Sequence, residues 1–222
     1  MELIEGIRSR KSIRGYKPTP VPKETLSQIL EIATYAPSAM NMQPWKFMAL
    51  GGKTLEKLTN VLQEKFLAGE EPHPDFSLIS PSAGVYWERR VAVAQELFRL
   101  MGIAREDRGQ RLEWDLKMLR FFDAPNAIII SLDEEISSSL FIFSLGLVTQ
   151  TIALAALNLG LGTCIEGRPI IYPNVIRQIT GIPESQRIAI GIAIGYPDGD
   201  FPANKLESSR EPLENIVTWL GV

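Results

Sequence analysis

Long amphipathic helical patterns alternate with short apolar runs, which predicts a layered α/β or α+β protein whose sheet has about four or five strands. Three observations carry this reading. Residues 125–132, PNAIIISL, form an unbroken apolar run of strand length, as expected of a strand covered on both faces. Residues 137–159 are apolar nearly all round over a helical length, the pattern of a helix packed inside protein. No repeat, low-complexity tract or linker divides residues 1–222, so the chain reads as one domain, large enough to bury a sizeable core.

In order, residues 3–10 predict a short amphipathic helix ending in Arg8, Arg10 and Lys11, cations that suit the negative end of a helix dipole. Ser12, Arg14 and Gly15 follow, and the prolines of residues 18–22 make an extended connector. A helix is expected over 23–36, with Leu26, Ile29, Leu30 and Ala33 at helical spacing. Pro37 and Pro44 bracket a polar loop carrying Ser38, Asn41 and Gln43; the two prolines forbid a continuous helix and set the loop's ends. A strand over 45–50 and an amphipathic helix over 53–66 come next. Residues 69–84 are rich in Pro, Ser and Gly, and hold His73. Two charged amphipathic helices, 85–102 and 105–122, complete a helical excursion over the core at about 69–120. The strand at 125–132 and the long helix follow, and Gly160-Leu161-Gly162 ends the helix through residues free to take positive φ. A short helix at 173–180 and a strand at 187–194 precede a tail, 196–222, rich in Pro, Gly and Asp.

Hydrophobic residues make up 45% and charged residues 22% of the chain, an ordinary globular balance. A net charge of -3 and a pI of about 5.4 provide no general attraction to nucleic acid or to an anionic membrane. The single cysteine, Cys164, allows no internal disulfide, and the N-terminal residues lack the apolar run of a signal peptide, so a cytoplasmic setting is expected. Residues 138–163 approach membrane-spanning length, but Ser144, Thr149, Gln150, Thr151 and Asn158 interrupt them. Basic flanks are missing on the N-terminal side, so a core or dimer-interface helix is expected instead. One histidine and one cysteine, far apart, build no His/Cys metal site of the usual spacing. A Ser-His-Asp triad would rest on His73 without a G-x-S-x-G elbow.

Two basic clusters stand at opposite ends of the chain: Arg10, Lys11 and Arg14 around Ser12, and Lys205, Ser208, Ser209 and Arg210. Arginine forks and hydroxyls of this kind can converge on a phosphate dianion. The Ser38–Gln43 loop offers a hydroxyl and two amides to a planar polar ligand. No G-x-G-x-x-G follows a strand, so no separate dinucleotide fold is visible.

Five segments, in order and spanning nearly the whole chain, together resemble the FMN-dependent nitroreductase family. They are RSRKSIRGY (8–16), PSAMNMQPW (37–45), RFFDAPNAI (120–128), GLGTCIEG (160–167) and GYPDGDFPANKLESSREPLENIV (195–217). The resemblance implies an α+β fold of three layers, with a central mixed, mostly antiparallel sheet of about five strands flanked by helices. It implies an intertwined homodimer with an FMN at each of two interface sites, the long helix in the dimer core, and the tail at about 196–222 embracing the partner. Arg10, Lys11, Ser12 and Arg14 resemble the N-terminal grip on the flavin phosphate, and Arg210 the C-terminal arginine that completes it. Ser208 stands where several relatives have lysine, leaving Lys205 as another candidate. Pro37, Ser38, Asn41 and Gln43 resemble the loop that reaches the flavin of the other subunit. Ile165, Glu166 and Gly167 resemble the segment whose backbone amides lie near flavin N5, and Arg120 the cation near N1 and the C2 carbonyl. Lys117 sits where others often have an asparagine near the ribityl chain.

The implied activity takes hydride from NADH or NADPH onto FMN and passes it, in ping-pong order, to a nitroaromatic, quinone or related acceptor. The cofactor carries the hard chemistry and the protein supplies position and field; a cation near N1 stabilises the negative charge of reduced flavin. The same scaffold supports reductive dehalogenation, flavin destruction or substrate dehydrogenation, and a non-catalytic FMN-binding or storage protein is the alternative of another class. Trp87, Phe98 and Trp114 are candidates for the pocket mouth, although aromatics at helical spacing are more often core.

Overall fold

The computed structural model describes residues 2–78, 83–136 and 138–222. Its centre is a sheet of β1 (Lys46–Gly51), β2 (Asn126–Asp133), β3 (Gly162–Glu166) and β4 (Gln186–Gly195). The strand order is β1-β2-β4-β3 and every pair is antiparallel. The apolar run at 125–132 is the central strand, buried from Asn126 to Leu132. Its alternation feeds two cores: Ile128, Ile130 and Leu132 face one layer, Ala127 and Ile129 the other. Among the described residues the sheet has four strands, close to the five expected, and is antiparallel throughout, with an isolated parallel bridge between Ser12 and Thr163 beside it. Residues 206–222 form no strand with the chain's own sheet.

On one face lie α3 (Gly52–Leu67), α5 (Arg108–Leu119) and α7 (Pro173–Thr180), packing Leu58, Leu62, Leu119 and Ile176. On the other lie α2 (Lys23–Ala33) and α6 (Ser139–Asn158), packing Ile29 and Ala33 against Val148 and Ile152. Two further helices complete the set, α1 (Leu3–Ser9) and α4 (Val85–Met101); in α4 only Leu97 is buried. The expected loop at 69–84 and the start of the long helix fall in part on residues 79–82 and 137, outside the described residues.

Local chemistry sets the helix ends. Pro173 opens α7, where its fixed φ and missing N–H cost nothing, and Gly181 closes it at φ +77. The α5 helix is shorter than the expected 105–122. The Asp107 carboxylate caps it by accepting from the Gln110 N–H at 2.9 Å, and Phe121, Phe122 and Asp123 turn to positive φ of 53, 54 and 58°. Trp114 belongs to the core, its ring centroid 5.5 Å from that of Phe122 and 6.4 Å from that of Phe98. Trp87 remains half exposed. Among the described residues α6 alone has the length and hydropathy of a membrane span, and 44% of its most apolar window is buried within the chain.

Candidate active site

The N-terminal segment after α1 runs alongside β3 in place of a further strand. Ser12 is bridged to Thr163, and the Ile13 N–H donates to the Thr163 carbonyl at 2.9 Å. Farther on, the Lys17 N–H donates to Tyr196 at 2.9 Å. The clamp is Asn204, a buried residue in a short 3-10 turn, Pro202–Lys205. Its carbonyl accepts the backbone N–H groups of Arg14 (2.7 Å) and Gly15 (3.2 Å), and its amide donates to the carbonyls of Gly15 and Asp198, both at 2.8 Å. Gly15 has no alternative: a Cβ there would lie 2.1 Å from the Phe201 ring. This register brings the chain ends together. Arg8, Arg10 and Lys11 line a cleft of about 500 Å³ whose other wall is Leu206, Glu207, Ser208 and Arg210. Arg210 Nη1 is held over its own loop by Ser208 Oγ and the Ser208 carbonyl at 2.8 Å each. Lys205 is exposed and is not among the residues described as lining the cleft.

β3 leads from this cleft to Glu166 and Gly167. Alternation buries Cys164 and Glu166 on one face and leaves Ile165 38% exposed on the other. Burial pushes the Cys164 thiol up to about 12, with Glu166 adding to it, and so holds it protonated. Burial likewise raises the Glu166 carboxyl well above its ordinary range, against the pull of Arg14. Glu166 Oε1 is buried without a hydrogen-bond partner among the described atoms, a state a carboxyl tolerates far better neutral than charged. Tyr16 is raised in turn, first by burial and then by Cys164 and Glu166; its hydroxyl donates to the Ile13 carbonyl at 2.7 Å.

The profile of the nitroreductase family matches residues 7–196. The chain belongs to the nitroreductase family. It is 32% identical over 216 residues to a chloronitrobenzene nitroreductase of Comamonas testosteroni, covering 96% of this chain and 95% of that protein. A nitrobenzene nitroreductase of Ectopseudomonas oleovorans is matched at the same identity and coverage. Among solved structures, the FMN- and NADPH-dependent nitroreductase NfnB from Sphigopyxis sp. strain HMH superposes with a TM-score of 0.95 at 26% identity over the whole of both chains. The FMN-dependent NfnB of Mycobacterium smegmatis, in complex with NADPH, gives 0.92 at 26% identity, covering 98% of this chain and 97% of that one.

The remaining residues that the nitroreductase resemblance singled out lie away from the cleft. Arg120 donates to Asp123 (2.6 Å), Glu113 (2.6 Å) and Gln63 (2.9 Å), so its charge is met by two carboxylates. Lys117 also pairs with Asp123 and lies 5.2 Å from the Phe201 ring centroid. Burial alone would raise the Asp123 carboxyl, but hydrogen bonds from Arg120 and Lys117 prevail and hold it low. Pro37, Ser38, Asn41 and Gln43 sit at the start of α6, where the Ala39 N–H donates to Ser144 Oγ at 3.2 Å. Ser38 Oγ accepts the Gln43 N–H at 2.9 Å, and Met40, Asn41 and Gln43 take φ of 51, 55 and 47°, a costly conformation outside glycine. Sequence reasoning missed Asn204, which nothing in the apolar periodicity marks.

The donors present suit FMN on chemical grounds. The cleft pairs guanidinium and ammonium groups with a hydroxyl, the set that holds a phosphate dianion. The Cys164 thiol farther along β3 is held protonated, which leaves the redox chemistry to a cofactor.

Proposed function

We propose that this protein is an FMN-dependent NAD(P)H oxidoreductase that reduces nitroaromatic compounds, with quinones and related electron-poor acceptors as further substrates. The observation that carries the reading is the convergence of Arg10 and Lys11 with Ser208 and Arg210 on one cleft, from opposite ends of the chain. Those residues would hold the flavin phosphate, with Ser12 and Arg14 carried beside it by the Asn204 clamp. Glu166 and Gly167 would border the flavin ring through backbone amides, which orient without titrating. Arg120 and Lys117 would supply positive field, moderated by Asp123 and Glu113. When bound, FMN supplies hydride acceptance from NADH or NADPH at N5 and delivery to the acceptor in ping-pong order.

The working unit in this reading is a homodimer. The Ser38–Gln43 loop stands apart from its own chain's cleft, as a site built by two chains requires. Large apolar side chains are left exposed on α1 (Leu3, Ile4), on α6 (Leu140, Phe143) and along the tail (Trp219, Leu220), an extent that marks an interface.

The test is the visible spectrum of the purified protein, before and after anaerobic NADPH and NADH. Flavin bands near about 450 nm that bleach, and return on addition of nitrobenzene, are expected. Bands that stay unbleached with both nicotinamides would indicate a binding protein, and a colourless protein that takes up no FMN would refute the reading. Arg210→Ala should weaken FMN retention by about tenfold to a hundredfold, the worth of a charge-assisted contact. Light scattering that gives a monomer at micromolar concentration would dismiss the two-chain site.

A further inference from the structure

The loop before α4 has no regular structure in residues 71–78, yet it is tied down at nearly every step. The Tyr172 hydroxyl donates to the Glu70 carbonyl at 2.8 Å, and the His73 N–H donates to the Ile171 carbonyl at 3.0 Å. The centre of the anchor is Asp75. Its Oδ2 accepts from Arg177 Nη2 at 2.6 Å and from the Ile188 N–H at 2.7 Å, and its carbonyl accepts from Arg187. Arg177 also donates to the Gln186 carbonyl at 2.7 Å, and the Arg187 guanidinium stacks 4.0 Å from the Phe76 ring centroid. Asp75 and Arg177 side chains are only 15% and 13% exposed, so water competes weakly for these bonds.

Three residues on, Leu78 reaches Gly167. A Cβ on that glycine would meet Leu78 Cδ1 and Cδ2 at 3.2 and 3.3 Å, so the isobutyl group occupies the space that the missing side chain leaves. Leu78 is partly buried and packs against the core where it meets Gly167. An apolar group held at a fixed place by a buried polar anchor is what a pocket needs to discriminate size.

We propose that Leu78 is a specificity-determining residue of this nitroreductase, limiting the size of the aromatic acceptor admitted beside Gly167, and that Asp75 is the positioning residue that holds it there. The proposal rests on the flavin reading, which places Glu166 and Gly167 against the cofactor ring.

The experiment compares the holoenzyme with Leu78→Ala and Asp75→Asn, using nitrobenzene and 1-nitronaphthalene. Flavin content and bleaching by NADPH are measured first, then kcat/KM for both acceptors, then binding of both to the oxidised holoenzyme without nicotinamide. Leu78→Ala should keep its flavin and its NADPH reduction, and should shift the kcat/KM ratio towards 1-nitronaphthalene by tenfold or more. The binding ratio should move the same way. Asp75→Asn should move both ratios in the same direction by less, with Leu78 present but loosely held. A general loss of fold lowers both acceptors together and leaves the ratios alone. Ratios within about twofold of the parent in Leu78→Ala overturn the proposal. A parent protein that neither holds nor takes up FMN fails at the first measurement, and overturns the cofactor reading and the proposal with it.

Discussion

Two segments of the helical excursion are each tied to a distant part of the chain by one arginine–carboxylate pair, and the two ties differ in burial. Asp75 meets Arg177 with side chains 15% and 13% exposed, and both partners bond backbone as well. Arg89 of α4 meets Glu211 of the tail at 2.5 Å, with side chains 43% and 26% exposed and Glu211 also accepting from Asn215. The distances are nearly equal, but the worth is not. An exposed pair gains little over hydration and is screened by salt. A buried pair that also satisfies backbone groups cannot be half-removed without stranding a charge. The segment around Asp75 is therefore held firmly to α7 and β4, whereas the Arg89–Glu211 tie adds little to the hold of the tail on α4.

That contrast can be broken at its strong end first. Asp75→Ala leaves Arg177 buried and unpaired, and should lower stability by about 3 kcal/mol in urea titration, with little relief from added salt. A change near zero would place the pair in solvent. Next in size is Asn204→Ala. It removes the acceptor shared by the Arg14 and Gly15 N–H groups and the donor to two carbonyls. A loss of about 2 kcal/mol is expected, accompanied by poorer FMN retention if the clamp sets the register of the basic cleft.

Glu166 gives a smaller effect that depends on pH. Its carboxyl stays protonated in the folded chain above the ordinary value of 4.5, while the unfolded chain releases that proton once pH passes this value. Stability contributed by the neutral buried acid is thus complete in acid and declines as pH rises towards the folded pKa. Glu166→Gln does not titrate, so its melting temperature relative to the parent should climb as pH rises above the ordinary carboxylate value. A gap independent of pH would mean that Glu166 is ionised in the fold. Smallest is Arg89→Ala, for which the urea midpoint should not move measurably in 0.5 M salt (roughly a Debye length of 4 Å).

Much of the architecture was legible because apolar periodicity records burial directly. The central strand, the long helix and the 173–180 helix appear where Ile, Leu and Ala spacing places them. Both halves of the basic cleft were legible as residue types, since arginines and hydroxyls clustered at two remote points. Their meeting was not, because it depends on Asn204, a lone amide within PANK that reads as a turn residue. The same limit applies to Ser208 and Lys205: the sequence leaves both as candidates, and Ser208 is the one that lines the cleft. Left-handed residues that carry side chains, such as Met40, Phe121 and Phe122, escape notice too, since only glycine advertises positive φ.

By itself, then, the sequence determined the layers of this protein, its family and the kinds of group available for a phosphate and a flavin. Those follow from hydrophobic spacing and side-chain chemistry, which are local properties. The tertiary structure alone decided which carboxylates are neutral or paired, which basic residues share a cleft, and that Leu78 lies on Gly167. Burial and hydrogen-bond partners across a hundred residues of chain set those outcomes, and neither is written in any short stretch.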